Sequence, residues 1–266
     1  MVILLYHNIV EQFSSKSIYS ISKENFQQQM YYLKNNNYQV LPLGELVRRL
    51  NSSLDIPEKS VIITFDDGLS SQFEFAYPVL KKLAFPASFF VIAKKIGKDG
   101  YMDWRALKTL YQNGMEIGSH GLSHGLFDLT LKSIIFHELK ESKDFLEKNL
   151  NIPVQFFSLP RGCLDANPIV DLCRKAGYRA LCLSKVGYIN SYSNPFSLNR
   201  FPIRRKDTLD NFVRILRNSP LQFFSYRAKE FFKDCLKKSL GLANYEYLRK
   251  EILKDEYINE RLSPEE

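Results

Sequence analysis

The sequence is poor in the residues that mark several protein classes. Four cysteines (Cys163, Cys173, Cys182 and Cys235) occur in 266 residues. No two form a C-x-x-C pair or stand at metal-ligand spacing, which excludes a disulfide scaffold and a zinc–thiolate module and leaves free, mostly buried thiols as the expectation. The longest apolar runs, such as Val61–Phe65 and Ala87–Ala93, fall far short of the ~18–20 residues of a membrane span. Glycine and proline number 12 and 11, too few for a collagen-like or low-complexity chain. No internal repeat is visible. The N-terminus, Met1-Val-Ile-Leu-Leu-Tyr-His7, lacks a basic stretch and a small-residue cleavage site. It reads as a first strand rather than a signal peptide, so the expectation is a cytoplasmic protein, at most peripheral at the inner face of the membrane.

What is present suits a folded α/β protein. Hydrophobic residues make up 45% and charged residues 25% of the chain, and one α/β barrel commonly uses this length. Strands are predicted at Val2–Tyr6, Val61–Phe65, Ala87–Ile92, Met115–Ile117, Gln155–Leu159, Arg179–Leu183 and Leu198–Ile203. Helical spacing lies between them: Phe26, Met30 and Leu33 after the cap candidate Ser22, Leu107, Leu110 and Tyr111 after Asp103, and Ile134, Ile135, Leu139, Phe145 and Leu146 after Thr130. Gly114, Gly177 and Gly241 stand where helix C-caps are expected. This alternation predicts a mainly parallel sheet, open or closed into a barrel, over residues 1–207. Helical segments without a strand make residues 208–266 a C-terminal extension.

Two segments carry the chemistry. Val61-Ile-Ile-Thr-Phe-Asp66-Asp67-Gly68 is an apolar strand running into adjacent carboxylates, at the strand end where α/β proteins place their sites. Two like charges side by side call for a positive partner, and a divalent ion supplies one. Glu116-Ile-Gly118-Ser119-His120-Gly-Leu-Ser-His124 likewise follows a short strand and sets two imidazoles four residues apart. If the loop turns into a helix there, both share one face and suit a single metal. Two imidazoles and one carboxylate describe a hydrolytic metal site that accepts Zn, Ni, Co or Fe. The second carboxylate is then free to act as a base. His137 sits mid-helix and Trp104 follows the cap candidate Asp103, so both read as structural.

Thr64-Phe-Asp-Asp-Gly68 followed by Ser119-His-x-x-x-His124 resembles the NodB-like polysaccharide deacetylases, the family 4 carbohydrate esterases, over roughly residues 1–205. The resemblance implies an irregular (β/α) barrel of about seven strands and removal of N-acetyl groups from an amino-sugar substrate. It implies Asp66 as general base and Asp67, His120 and His124 as ligands of one divalent metal, with zinc the first expectation. The family's third motif has a counterpart in Ser158-Leu-Pro160-Arg161-Gly162, where Ser158 replaces the usual leading arginine. The Arg161 backbone N–H remains able to hold the oxyanion, and Arg200 is the candidate substitute for the lost charge partner of the base. No histidine follows His137, but His7 ends the first strand. This resembles the permuted branch that includes poly-N-acetylglucosamine deacetylases, and it implies His7 as general acid. An amidohydrolase of non-sugar amides and a carbohydrate-binding pseudoenzyme are the alternative readings.

The net charge of +8 is unevenly placed. Residues 1–199 hold 22 basic and 18 acidic side chains, residues 200–250 hold 13 and 5, and residues 251–266 hold 2 and 6. The basic excess therefore follows the motifs, where Phe223, Phe224, Phe231 and Phe232 alternate with Arg227, Lys229, Lys233, Lys237 and Lys238. That pattern suits an ordinary helix packed on the barrel with solvated lysines, or a membrane surface or lipid-phosphate carrier, better than a specific nucleic acid.

Overall fold

The structure, a computed structural model, describes residues 1–11, 17–125, 127, 131–161, 167–241, 244–245 and 247–248, excepting the side chains of Gln222 and Glu230. Thr130, Gly162 and Cys163 lie outside the described residues. Seven parallel strands run in the order β10-β1-β5-β6-β7-β8-β9: Phe201–Pro202, Val2–Tyr6, Ser60–Phe65, Ser88–Val91, Glu116–Ser119, Phe156–Ser158 and Ala180–Cys182. The sheet curls until one stretch of chain meets both of its edges. Leu198 bridges to Cys182, and Phe201 pairs with Leu4. The predicted strand Leu198–Ile203 is thus divided between two partners, which leaves only two residues of it regular.

Three short strands escape sequence periodicity because two or three residues are too few to show it. Asn8–Val10 (β2) pairs with Ser20–Ser22 (β3) beside the barrel, and Gln39–Val40 (β4) pairs with the start of β5. Helix α1 (Lys23–Asn35) begins where Ser22 Oγ accepts the Asn25 N–H at 3.2 Å, and it buries Phe26, Met30 and Leu33. Helix α2 (Leu43–Asn51) packs with the interior, whereas α3 (Tyr77–Leu83), α4 (Trp104–Gln112), α5 (Lys132–Leu150) and α6 (Asn167–Lys175) complete the outer layer. Asp103 caps α4 through the Ala106 N–H at 2.7 Å, and Trp104 packs on Phe145, as a structural pair should. His137 is exposed on α5.

Side chains alternate along a strand, so parity decides what enters the barrel. Val61, Ile63 and Phe65 pack outward with Phe26 and Met30, whereas Ile62 packs inward with Ile3, Phe90, Phe156 and Leu198. Helix α2 plugs the lower end of this interior with Leu43, Leu46, Val47 and Leu50. There Glu116 accepts the Leu43 and Gly44 N–H groups at 2.9 and 2.8 Å and the Ser88 hydroxyl at 2.6 Å. The filling is tight enough to demand glycine at 118, where a Cβ would stand 2.5 Å from the Phe90 ring. The same parity carries Thr64, Asp66, Ser158, His120 and Arg200 to the inner face at the opposite, C-terminal end.

After β10 the chain forms α7 (Leu209–Leu216) and α8 (Pro220–Leu240). Phe212, Ile215 and Tyr226 are buried in the same core as the outer face of the barrel.

Candidate active site and metal centre

Asp66 leaves β5 with its N–H bonded to the Tyr6 carbonyl at 3.0 Å and its carboxylate fully buried. Arg200 meets it with both arms, Nη1 to Oδ1 at 2.8 Å and Nη2 to Oδ2 at 2.7 Å. The guanidinium is itself fully buried and spends its other donors on the Leu183 carbonyl, Thr64 Oγ1 and Ser158 Oγ. Ser158 Oγ in turn donates to Asp66 Oδ2 at 3.0 Å. Arg200 is thus not a surface arginine but part of the buried interior. Desolvation pushes the Asp66 carboxyl up, but the charges of Arg200 and His120 and the Arg200 hydrogen bonds bring it below the ordinary carboxylate value. The carboxylate is therefore ionised at neutral pH.

Asp67 has a left-handed backbone, φ 77°, which folds it back so that adjacent carboxylates serve one site. Gly68 continues that turn at φ 75°, and a Cβ there would lie 2.9 Å from Val91 Cγ1. Asp67 Oδ1 stands 3.4 Å from His120 Nε2 and 3.5 Å from His124 Nε2. One ligand atom from each of the three residues lies within 4.8 Å of the others.

The two histidines sit on a loop and not on the helical turn that their spacing suggested. Gly121 and His124 have φ values of 86° and 66°, which close the loop tightly and bring the ring centroids to 5.0 Å. Helix α5 holds that loop through Glu138, whose Oε2 accepts the Leu122 and Ser123 N–H groups at 2.8 and 2.9 Å. Its Oε1 accepts the Ser123 hydroxyl at 2.6 Å. The Glu138 clamp gave no signal in the sequence, since a glutamate mid-helix ordinarily faces water.

His120 Nδ1 donates to the Ser158 carbonyl at 2.8 Å, so in the neutral imidazole the lone pair sits on Nε2, on the Asp67 side. Burial disfavours the His120 imidazolium, but Asp66 and Asp67 outweigh it and raise the pKa. His124 goes the other way: burial, with His120 and Arg161 as like charges, lowers it to about 3. Arg161 Nε donates to His124 Nδ1 at 3.4 Å, and Arg161 is a third site residue in left-handed conformation, φ 58°.

His7 ends β1 at the same mouth, packed on Tyr19 with ring centroids 4.8 Å apart. Its Nδ1 is buried without a hydrogen-bond partner among the described residues. Burial lowers its pKa, against the pull of Asp67 and Asp66. Gln72, on a π-helical turn (Gln72–Ala76), donates Nε2 to the His7 and Asp66 carbonyls at 3.0 and 2.5 Å, tying the two strand ends together. All seven candidate residues thus surround one end of the barrel. Ser158, Thr64, Gln72 and Glu138 support them.

The family model for polysaccharide deacetylase matches residues 54–181. YxkH of Bacillus subtilis, whose name places it among the polysaccharide deacetylases, is 30% identical over 202 residues, spanning 74% of this chain and 69% of that protein. The poly-beta-1,6-N-acetyl-D-glucosamine N-deacetylase of Staphylococcus aureus is 30% identical over 186 residues, 62% of each chain. The Streptococcus pyogenes deacetylase PplD, solved in complex with acetate, superposes with a TM-score of 0.75 at 25% identity, covering 81% of this chain and 97% of that one. IcaB from Ammonifex degensii shares the fold, with a TM-score of 0.72 at 24% identity over 81% and 95% of the two chains. The chain belongs to the polysaccharide deacetylase family.

Proposed function

We propose that the chain hydrolyses N-acetyl groups from amino-sugar units of a glycan or glycolipid, with one divalent metal held by Asp67, His120 and His124. The observation that carries this reading is the buried Asp66–Arg200 ion pair placed beside an oxygen–nitrogen–nitrogen donor set at the C-terminal mouth of the barrel. The donor set fits a zinc-like ion, because both imidazoles turn Nε2 toward one carboxylate and His120 is fixed in the tautomer that leaves Nε2 free, while His124 would give up the Arg161 hydrogen bond at Nδ1 to reach the same tautomer. A divalent ion there supplies a Lewis acid that polarises the amide carbonyl and eases deprotonation of the attacking water.

The protein's own groups do the rest. Asp66 accepts the proton of the attacking water, and Arg200 and Ser158 fix its carboxylate in one orientation. The Arg161 backbone N–H holds the oxygen that becomes negative. His7 gives a proton to the departing amine. Residues 1–207 carry this chemistry, and residues 208–266 form an extension to it. The missing arginine before Leu159 would favour a pseudoenzyme, but Arg200, just before β10, supplies a guanidinium to the Asp66 carboxylate. Buried free thiols at Cys173 and Cys182 suit a reducing, cytoplasmic setting.

An acetate-release assay on N-acetylglucosamine oligomers, lipid-linked sugars and non-sugar N-acetyl amides tests the reading. Release from at least one sugar substrate, lost on chelation and restored by Zn, Ni, Co or Fe, is the expected result. Unchanged release from the metal-stripped protein overturns the metal role. Release confined to non-sugar amides overturns the substrate class, and sugar binding without release at saturating metal overturns catalysis.

Glu138→Ala frees the loop between the two histidines and is expected to weaken metal retention about 10–100-fold, the usual effect of removing a group that orients ligands. Glu138→Gln keeps an oxygen for the two N–H groups and a donor for the Ser123 hydroxyl, so it should restore most of the loss. Metal titration of the three proteins checks both.

A further inference from the structure

Helix α8 carries two apolar faces, and the barrel uses one of them. On the inner face Tyr226 is 2% exposed, donates its hydroxyl to Asp207 Oδ2 at 2.7 Å and lies under the Arg204 guanidinium, while Phe223 packs on Tyr188. Those contacts fix the rotation of the helix. The outer face then presents Leu221, Phe224, Phe231 and Phe232, which are 83%, 67%, 72% and 66% exposed. With Ala228 and Cys235, also exposed, they recur at three- and four-residue spacing along the 21 residues of the helix and form one continuous stripe. Apolar side chains scattered singly over a surface need no explanation, but a continuous stripe with three phenylalanines does.

We propose that this stripe seats the protein on an anionic lipid bilayer, with α8 lying in the plane of the interface. At 100° per residue, Arg227 and Lys238 line one edge of the stripe and Lys229 the other, all exposed. Elsewhere on the C-terminal part Lys206, Arg214 and Arg217 are exposed as well, and Asp210 is the exposed carboxylate among the described residues of α7 and α8. An apolar face rimmed by lysine and arginine matches acyl chains rimmed by anionic headgroups. A second copy fits worse. Two identical stripes related by a two-fold axis would press basic edge against basic edge. No helix among the described residues is long and apolar enough to cross a membrane, so the helix lies on the bilayer and does not span it.

Flotation of the full chain with vesicles decides the matter, without reference to the reaction. The wild type should float with phosphatidylcholine vesicles containing phosphatidylglycerol at low salt, and much less with phosphatidylcholine alone. Phe231→Glu/Phe232→Glu and Lys229→Glu/Lys238→Glu should each cut the bound fraction at least about tenfold, through the apolar and the electrostatic contribution respectively. Both pairs are exposed, so thermal midpoints should move little, the lysine variant losing only the Lys229 contact over the Tyr226 ring, 5.9 Å from its centroid. Failure of the wild type to bind anionic vesicles overturns the proposal, as does equal binding by the Phe231→Glu/Phe232→Glu protein. A dimer in solution that the phenylalanine variant dissociates, with no vesicle binding, overturns it in favour of a second copy.

Discussion

Asp66→Asn is expected to lower acetate release by about 10²–10⁴-fold, the range supplied by a positioned general base, while the metal content stays that of the wild type. The asparagine has the shape of the aspartate but cannot take a proton. Asp66 is not among the three residues whose ligand atoms converge, and its Oδ2 stands 4.0 Å from His120 Nε2. The substitution therefore separates base from ligand. Its side effect is structural: the new NH₂ group faces one Arg200 arm and removes an acceptor, at a cost of about 1–3 kcal/mol for a buried donor left unsatisfied. Metal analysis and a thermal melt accompany the assay for that reason. Full activity in the Asp66→Asn protein would place the base elsewhere.

Arg200→Met carries the largest expected stability effect, a loss of about 3–5 kcal/mol, because removing one partner of a buried pair leaves an uncompensated charge. Methionine fills much of the volume but leaves the Asp66 carboxylate with Ser158 Oγ as its remaining side-chain donor. The effect depends on pH with a definite sign. Asp66 has a folded pKa below its ordinary 3.8, so the pair's contribution is complete above that value and disappears as pH falls through the lower folded value. The stability gap between wild type and Arg200→Met should hold at neutral pH and narrow in acid. Combining Arg200→Met with Asp66→Asn removes both charges, and the double variant should be more stable than the sum of the singles by about 1–3 kcal/mol. Additive losses in urea unfolding would mean that the ion pair contributes no coupling and that Arg200 is held by packing alone.

The local grammar of the chain is enough to locate most of what matters. Apolar runs mark the long strands, and Ser22 and Asp103 mark helix starts. The two short motifs after β5 and β7 bring carboxylates and imidazoles to strand ends. Period-two alternation even separates the inward Ile62, Thr64 and Asp66 from the outward Val61, Ile63 and Phe65, since parity is a property of the strand itself.

What lay beyond the sequence is whatever depends on contacts between distant segments. Arg200 reaches Asp66 across 134 residues because the last stretch of chain returns to close the sheet between β9 and β1. Glu138 captures the histidine loop only because α5 packs along β7, and a loop held by that carboxylate replaces the helix that the four-residue spacing suggested. The sequence of α8 shows basic residues and two apolar faces. Which face is buried was decided by Tyr226 finding Asp207, and with it which face is left for a partner. Propensity and periodicity are local quantities. Closure, burial and the pairing of charges are set by the packing of the whole chain.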